Sequence, residues 1–202
     1  MNNPVFGRRH FALAVINVLL VLGFGWRFIR LMNYEFVIYV AVIVGSIVAV
    51  ALSNPRIRYR IDTLIGLTIW AALHLAGGGV FVNGTRLYDR MLITLSETLP
   101  IVRYDQLVHC FGFGAATLLM YDLVAANGPD RRLQLTPSMM IVIVMAGLGL
   151  GAFNEIVEFG VTALLPESGV GGYVNTSLDL CANLFGALLA LVYLRARPEL
   201  AG

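Results

Sequence analysis

Residues 106–126 read QLVHCFGFGAATLLMYDLVAA, a run that is apolar on every helical face, with His109 near one end and Asp122 near the other. An amphipathic helix of a soluble protein keeps one polar face, and this run has none. About 20 apolar residues at a rise of about 1.5 Å each cross the roughly 30 Å hydrocarbon layer of a bilayer, so the run reads as a spanning helix. Working outward, five further stretches of this kind occupy 11–26, 36–52, 63–82, 139–165 and 174–194, and the connections between them hold almost all the Arg, Pro and Asn. The expected fold is all-α: a polytopic membrane protein of six transmembrane helices, forming a single transmembrane domain over 1–202.

Composition agrees. Of 202 residues, 58% are hydrophobic and 13% charged, with a mean hydropathy of +0.80, against roughly 25% charged in ordinary soluble domains. Fourteen bases, all Arg, face twelve acids for a net charge of +2, too even a balance for a nucleic-acid partner. The partner that composition does imply is the lipid bilayer. Cys110 and Cys181 lie inside apolar runs, spaced neither as a disulfide framework nor as a zinc knuckle.

Arg bias sets the expected orientation. With the N-terminus cytoplasmic, the inner connections carry Arg8, Arg9, Arg56, Arg58, Arg60, Arg131, Arg132, Arg195 and Arg197, and the outer ones only Arg27, Arg30, Arg86, Arg90 and Arg103. Nine against five places both termini in the cytoplasm. Arg8 and Arg9 ahead of a short apolar run also fit a secretory signal. Trp26, Arg27 and Arg30 follow that run in place of a small-residue cleavage site, so the first helix is read as retained. In the long outer connection, 83–104, Leu87, Met91, Leu92, Leu95 and Leu99 recur at helical spacing and predict a segment lying along the interface.

Ionisable groups within hydrocarbon cost roughly 2.5 to 3.5 kcal/mol each on insertion scales, so those present must be paired, hydrated or functional. Asp105 and His109 are four apart, Glu155 and Glu158 three apart, Asp179 and Asn183 four apart, and such spacings put each pair on one helix face. Gly112 and Ala116, Gly147 and Gly151, and Gly186 continue the same faces; small residues let helices approach closely, so the pairs are expected to point into the bundle. His74 shares a face with Gly78. At about 1.5 Å per residue, His109 lies roughly 5 Å and Asp179 roughly 8 Å below the outer boundary. Glu155 and Glu158 fall in the outer half of their helix, so these groups gather at one level on the extracytoplasmic side.

Each group also has a plainer reading. Asp105 with His109 reads equally as an ion pair anchoring a helix end, Asp179 with Asn183 as interhelical hydrogen bonding, and His74 as a core histidine. Cys110, about 100° round the helix from His109, reads as packing. Glu155 with Glu158 resists such a reading, since two close carboxylates repel unless a cation, a proton or a histidine neutralises them.

The segments His74-Leu-Ala-Gly-Gly, Tyr104-Asp-Gln-Leu-Val-His109, Asn154-Glu-Ile-Val-Glu158 and Asp179-Leu-Cys-Ala-Asn-Leu-Phe-Gly186 resemble the signature blocks of the YjdF-like family of bacterial inner-membrane proteins. The last three are similar, more faintly, to VanZ-like proteins linked to glycopeptide tolerance. YjdF-like proteins tend to carry aromatic and hydroxyl residues where this chain has Gly79-Val80-Phe81, and extra acids where it has Gly172-Tyr173-Val174-Asn175. The resemblance implies a multi-helix fold in the bacterial inner membrane and brings no established activity.

Three functions compete. In the first, carboxylates and histidines hold a divalent metal ion that activates water against a lipid or lipid-linked head group. His109, Glu158, Asp179 and His74 would be its ligands, and Glu155 or Asp105 the base. The second is a small proton-coupled transporter in which the Glu pair and His109 relay protons, although no inverted repeat or broken helix pair is visible. The third is a structural or assembly protein whose polar stripe fixes helix packing.

Overall fold

The structure, a computed structural model, describes residues 6–128, 132–165 and 168–197; Arg131, used above to orient the chain, lies outside them. Six helices are formed: α1 (Arg8–Arg30), α2 (Tyr34–Ile57), α3 (Ile61–Gly79), α4 (Tyr104–Ala125), α5 (Pro137–Leu164) and α6 (Tyr173–Arg195). All six are long and apolar enough to cross a membrane. The chain is therefore an all-α, six-helix membrane protein, with bilayer contact through exposed apolar side chains such as Leu19 and Leu22 on α1 and Phe153 and Phe159 on α5.

α4 is the hub. It packs against α3, α5 and above all α6, while α1 leans on α3 and α2. The glycines explain the closest approach: Gly114 on α4 and Gly186 on α6 meet backbone to backbone, with no room for a side chain at Gly186. Polar contacts fix the remaining registers. Asn17 of α1 donates to Thr68 of α3 at 2.8 Å, and Arg27 donates through Nε to the Gly79 carbonyl, supplying a cation where α3 exposes its last acceptors. At the far end of the bundle Arg60 holds Asp122 of α4, with Nε 2.5 Å from Oδ1, and Tyr193 of α6 donates to Asp62 at 2.8 Å.

The helix ends depart from the expected ones for local reasons. α3 stops at Gly79 rather than 82, because Phe81–Val82 (β1) pairs antiparallel with Thr85–Arg86 (β2). The turn between them is Asn83-Gly84, both at positive φ, 53° and 79°, the dipeptide that two-residue hairpins favour. α2 runs past 52 to Ile57, through Pro55, until Arg58 adopts a left-handed φ of 55° and returns its N–H to the Asn54 carbonyl.

The interfacial helix expected within 83–104 is not formed. After the hairpin comes one 3-10 turn, Leu87–Asp89, and the chain then doubles back so that Met91 bridges Arg103 and Leu92 donates its N–H to the Val102 carbonyl at 2.9 Å. The physical reason lies in its polar residues. Ser96 accepts from the N–H groups of Thr98 and Leu99, a local bond that competes with helix, and Pro100 has no N–H to offer.

Candidate functional site

The antiparallel run of six helices brings the N-termini of α2, α4 and α6 to the same end of the bundle as the C-termini of α1, α3 and α5. Near that end α4, α5 and α6 turn Asp105, His109, Glu155, Glu158 and Asp179 towards one another. His109 is the centre, 4% exposed. Its Nε2 lies 3.6 Å from Asp105 Oδ1 and 3.8 Å from Glu158 Oε1; its Nδ1 lies 3.7 Å from Glu155 Oε1 and 3.1 Å from Asn183 Oδ1.

The last contact decides the tautomer. A carboxamide oxygen only accepts, so Nδ1–H donates to Asn183, and a neutral ring bound this way would carry its lone pair on Nε2. Nε2 faces two carboxylates, at distances too long for hydrogen bonds. Fixing one ring nitrogen on a carbonyl while the other faces acidic oxygens is how proteins orient a metal-binding histidine.

Amides from the neighbouring turns hold the acids. Asn175 donates to Asp105 Oδ2 at 3.1 Å and to Asp179 Oδ2 at 2.5 Å, and is itself held by Arg103 at 3.1 Å. Asn154 donates to Glu158 Oε1 at 2.7 Å. Two acid oxygens nevertheless stay unpartnered although buried, Asp179 Oδ1 and Glu155 Oε1. Asp105, His109 and Asp179 form one group, and His109, Glu155 and Glu158 another, whose ligand atoms all lie within 4.8 Å of each other. Both arrangements bring together donor atoms of the types that metal ions use.

His74 stands apart. It lies in a box of Phe36, Tyr39, Trp70 and Tyr88, with ring centroids 5.4 to 5.6 Å away, and its Nδ1 is 2.6 Å from the Tyr88 hydroxyl. Burial, aided by the nearby charges of Asp105 and Glu158, pushes the Tyr88 phenol well above its usual range, so Tyr88 keeps its proton while it shares a hydrogen bond with His74 Nδ1, whose tautomer sets the direction. His74 belongs to neither metal-capable group. It does reach the wall of a cavity of about 30 Å³ whose lining also includes Tyr39, Tyr88, Asp105, Glu158 and Asn175, room for roughly two water molecules.

Sequence reasoning overlooked the supporting residues. Asn175 and Asn154 had a signal, each standing four residues before an acid on the same helix face. Glu35, at the start of α2, had none: it reaches the rim only because it accepts from the Gly169 N–H at 2.6 Å and lies 3.9 Å from Arg86.

No curated protein and no solved structure matches the chain. A family described as "Predicted membrane protein (DUF2238)" matches residues 12–199, nearly the whole bundle and every residue of the cluster. The chain therefore belongs to this family of membrane proteins, the YjdF-like family.

Proposed function

We propose that this chain is a divalent-cation-dependent enzyme of the bacterial inner membrane that acts on a lipid or lipid-linked head group from the extracytoplasmic side. One observation carries the reading: a buried histidine, oriented by the Asn183 carbonyl, turns its free nitrogen to Asp105 and Glu158 at 3.6 and 3.8 Å. His109 is the common ligand, joined by Asp179 in one metal-capable group and by Glu158 in the other. A bound divalent cation supplies an acidified water as nucleophile at neutral pH. Asp105 and Glu155 are the carboxylates placed to take the proton, and the adjacent cavity admits water at Asp105 and Glu158. His74, tied to Tyr88, shapes that cavity rather than ligating.

The purified protein is expected to carry divalent metal in stoichiometric amount, and the His109→Ala variant to carry none while keeping its helical circular dichroism. Wild-type protein that stays metal-free when dialysed against Zn²⁺ or Mn²⁺ would sink the enzyme reading and leave the proton-relay and packing readings standing.

Orientation rests on the Arg bias and has its own test. Cysteines at Glu97 and Asn127, both exposed and at opposite ends of α4, should label from opposite sides in intact cells, with Glu97→Cys alone accessible to an impermeant reagent from outside. The reverse pattern would put the cluster at the cytoplasmic face and remove extracytoplasmic head groups as substrates.

A further inference from the structure

The acids around His109 outnumber what one cation can use. Four carboxylates, Asp105, Glu155, Glu158 and Asp179, approach a single imidazole, and one divalent ion balances only two of them. Arg103, at the N-cap of α4, reaches the cluster through Asn175 at 3.1 Å and makes its ion pair with Asp89 at 2.9 Å. The ligand atoms also divide into two sets that share only His109: Asp105 with Asp179, and Glu155 with Glu158.

Each set contains its own unpartnered oxygen. Asp179 is 0% exposed and its Oδ1 has no hydrogen-bond partner, and the same holds for Glu155 Oε1, on a side chain only 10% exposed. A buried carboxylate oxygen without a donor loses its solvation with no hydrogen bond to offset the loss, and His109 Nδ1, 3.7 Å from Glu155 Oε1, stands beyond hydrogen-bond range. One such orphan could be absorbed by a single ion. Two orphans, one on α6 and one on α5, on either side of His109, call for two.

We infer that the cluster is a two-cation centre. The first position lies between His109 and Asp179, with Asp105 alongside; the second lies between Glu155 and Glu158, with Glu158 Oε1 facing the histidine between them. Carboxylates drawn inward from facing helices, with histidine beside them, are the donor set with which helical bundles hold paired metal ions, and hard oxygen donors of this kind suit Mn²⁺ and Mg²⁺. The inference rests on the proposed cation dependence and extends it: Glu155 becomes a ligand, and Asp105, which lines the cavity, keeps the proton. Paired cations roughly 3.5–4 Å apart clamp the attacking and leaving oxygens of an in-line displacement, so the substrate class narrows to a phosphate ester or phosphoanhydride within the head group.

The test is a titration of the metal-free, detergent-purified full chain with Mn²⁺, read by bound stoichiometry and by electron paramagnetic resonance. Two Mn²⁺ per chain are expected, with the spectrum of an exchange-coupled pair. Asp179→Asn and Glu155→Gln are each expected to bind one ion and to give an uncoupled spectrum. A wild-type stoichiometry of one overturns the two-cation inference and leaves the proposed cation dependence intact; a stoichiometry of zero overturns both. Two uncoupled ions, or two ions still bound by either variant, also overturn the inference. The wild-type reading does not depend on whether the variants fold.

Discussion

Replacing Gly186 with alanine is expected to cost about 3 kcal/mol or more, at or beyond the upper end of ordinary overpacking. The added Cβ would run into the Cys110 carbonyl oxygen, with the carbonyl carbon 2.8 Å and the Gly114 nitrogen 3.0 Å away. All three atoms are backbone, so no rotamer relieves the clash and α4 must move away from α6. Gly114 is the reciprocal case, its own Cβ falling 3.1 Å from the Gly186 carbonyl oxygen. His109 adjoins Cys110 in the chain and Asn183 lies one turn before Gly186, so the same displacement stretches the bond that orients the histidine. Gly149→Ala is the control, since nothing lies within 4 Å of its Cβ position and alanine is the better helix former by up to about 1 kcal/mol. Unfolding in mixed micelles at increasing dodecyl sulfate, followed by circular dichroism, measures both. Equal stability of Gly186→Ala and the parent would show that α4 and α6 do not meet as described.

Glu158→Gln is expected to empty the cation position that Glu158 shares with Glu155 while leaving the fold unchanged, a loss at that position larger than the roughly 10- to 100-fold that removing an outer-shell partner costs. Glutamine keeps the shape and retains an oxygen to accept from Asn154, which reaches Glu158 at 2.7 Å, so the packing role survives. Only the charge is removed. Metal analysis with thermal unfolding separates the readings. Loss of the ion at that position with unfolding unchanged is the expected result. A silent substitution would assign the carboxylate to packing, and loss of pH-dependent transport in a protein that never held metal would assign it to proton relay.

The six spans were legible because hydropathy summed over some 20 residues outweighs any local preference. Their ends were less so, since hydropathy does not distinguish an apolar strand from an apolar helix: Phe81 and Val82 read as the end of α3 although Asn83-Gly84 beside them announces a hairpin. Leu87 to Leu99 failed in the opposite way, where spacing suggested a helix while Ser96 and Pro100 opposed it. In the cluster, the i, i+3 and i, i+4 pairs named the helix faces, and six of the seven residues singled out came together. His74 stayed apart because its face is decided by the rings of Phe36 and Tyr88, which come from distant parts of the chain. Long-range partners of that kind leave no periodic trace, which is also why Glu35 and Arg86 were not foreseen.

The unequal burial of the helices dictates an order of biogenesis. Only 6% of the α1 span is buried inside the protein, against 50% of the α4 span, so α1 is solvated by lipid and α4 by its neighbours. As the chain is made, α4 enters a membrane where α3 already waits, and Asp122 finds Arg60 at once. Asp105 and His109 face each other at 3.6 Å on α4 but gain their hydrogen bonds to Asn175 and Asn183 only when α6 arrives, and a charged side chain left in hydrocarbon meanwhile costs about 2.5 to 3.5 kcal/mol. α4 therefore has to be sheltered by the insertion machinery, or held with its outer end in the head-group layer, until the last helix is in place.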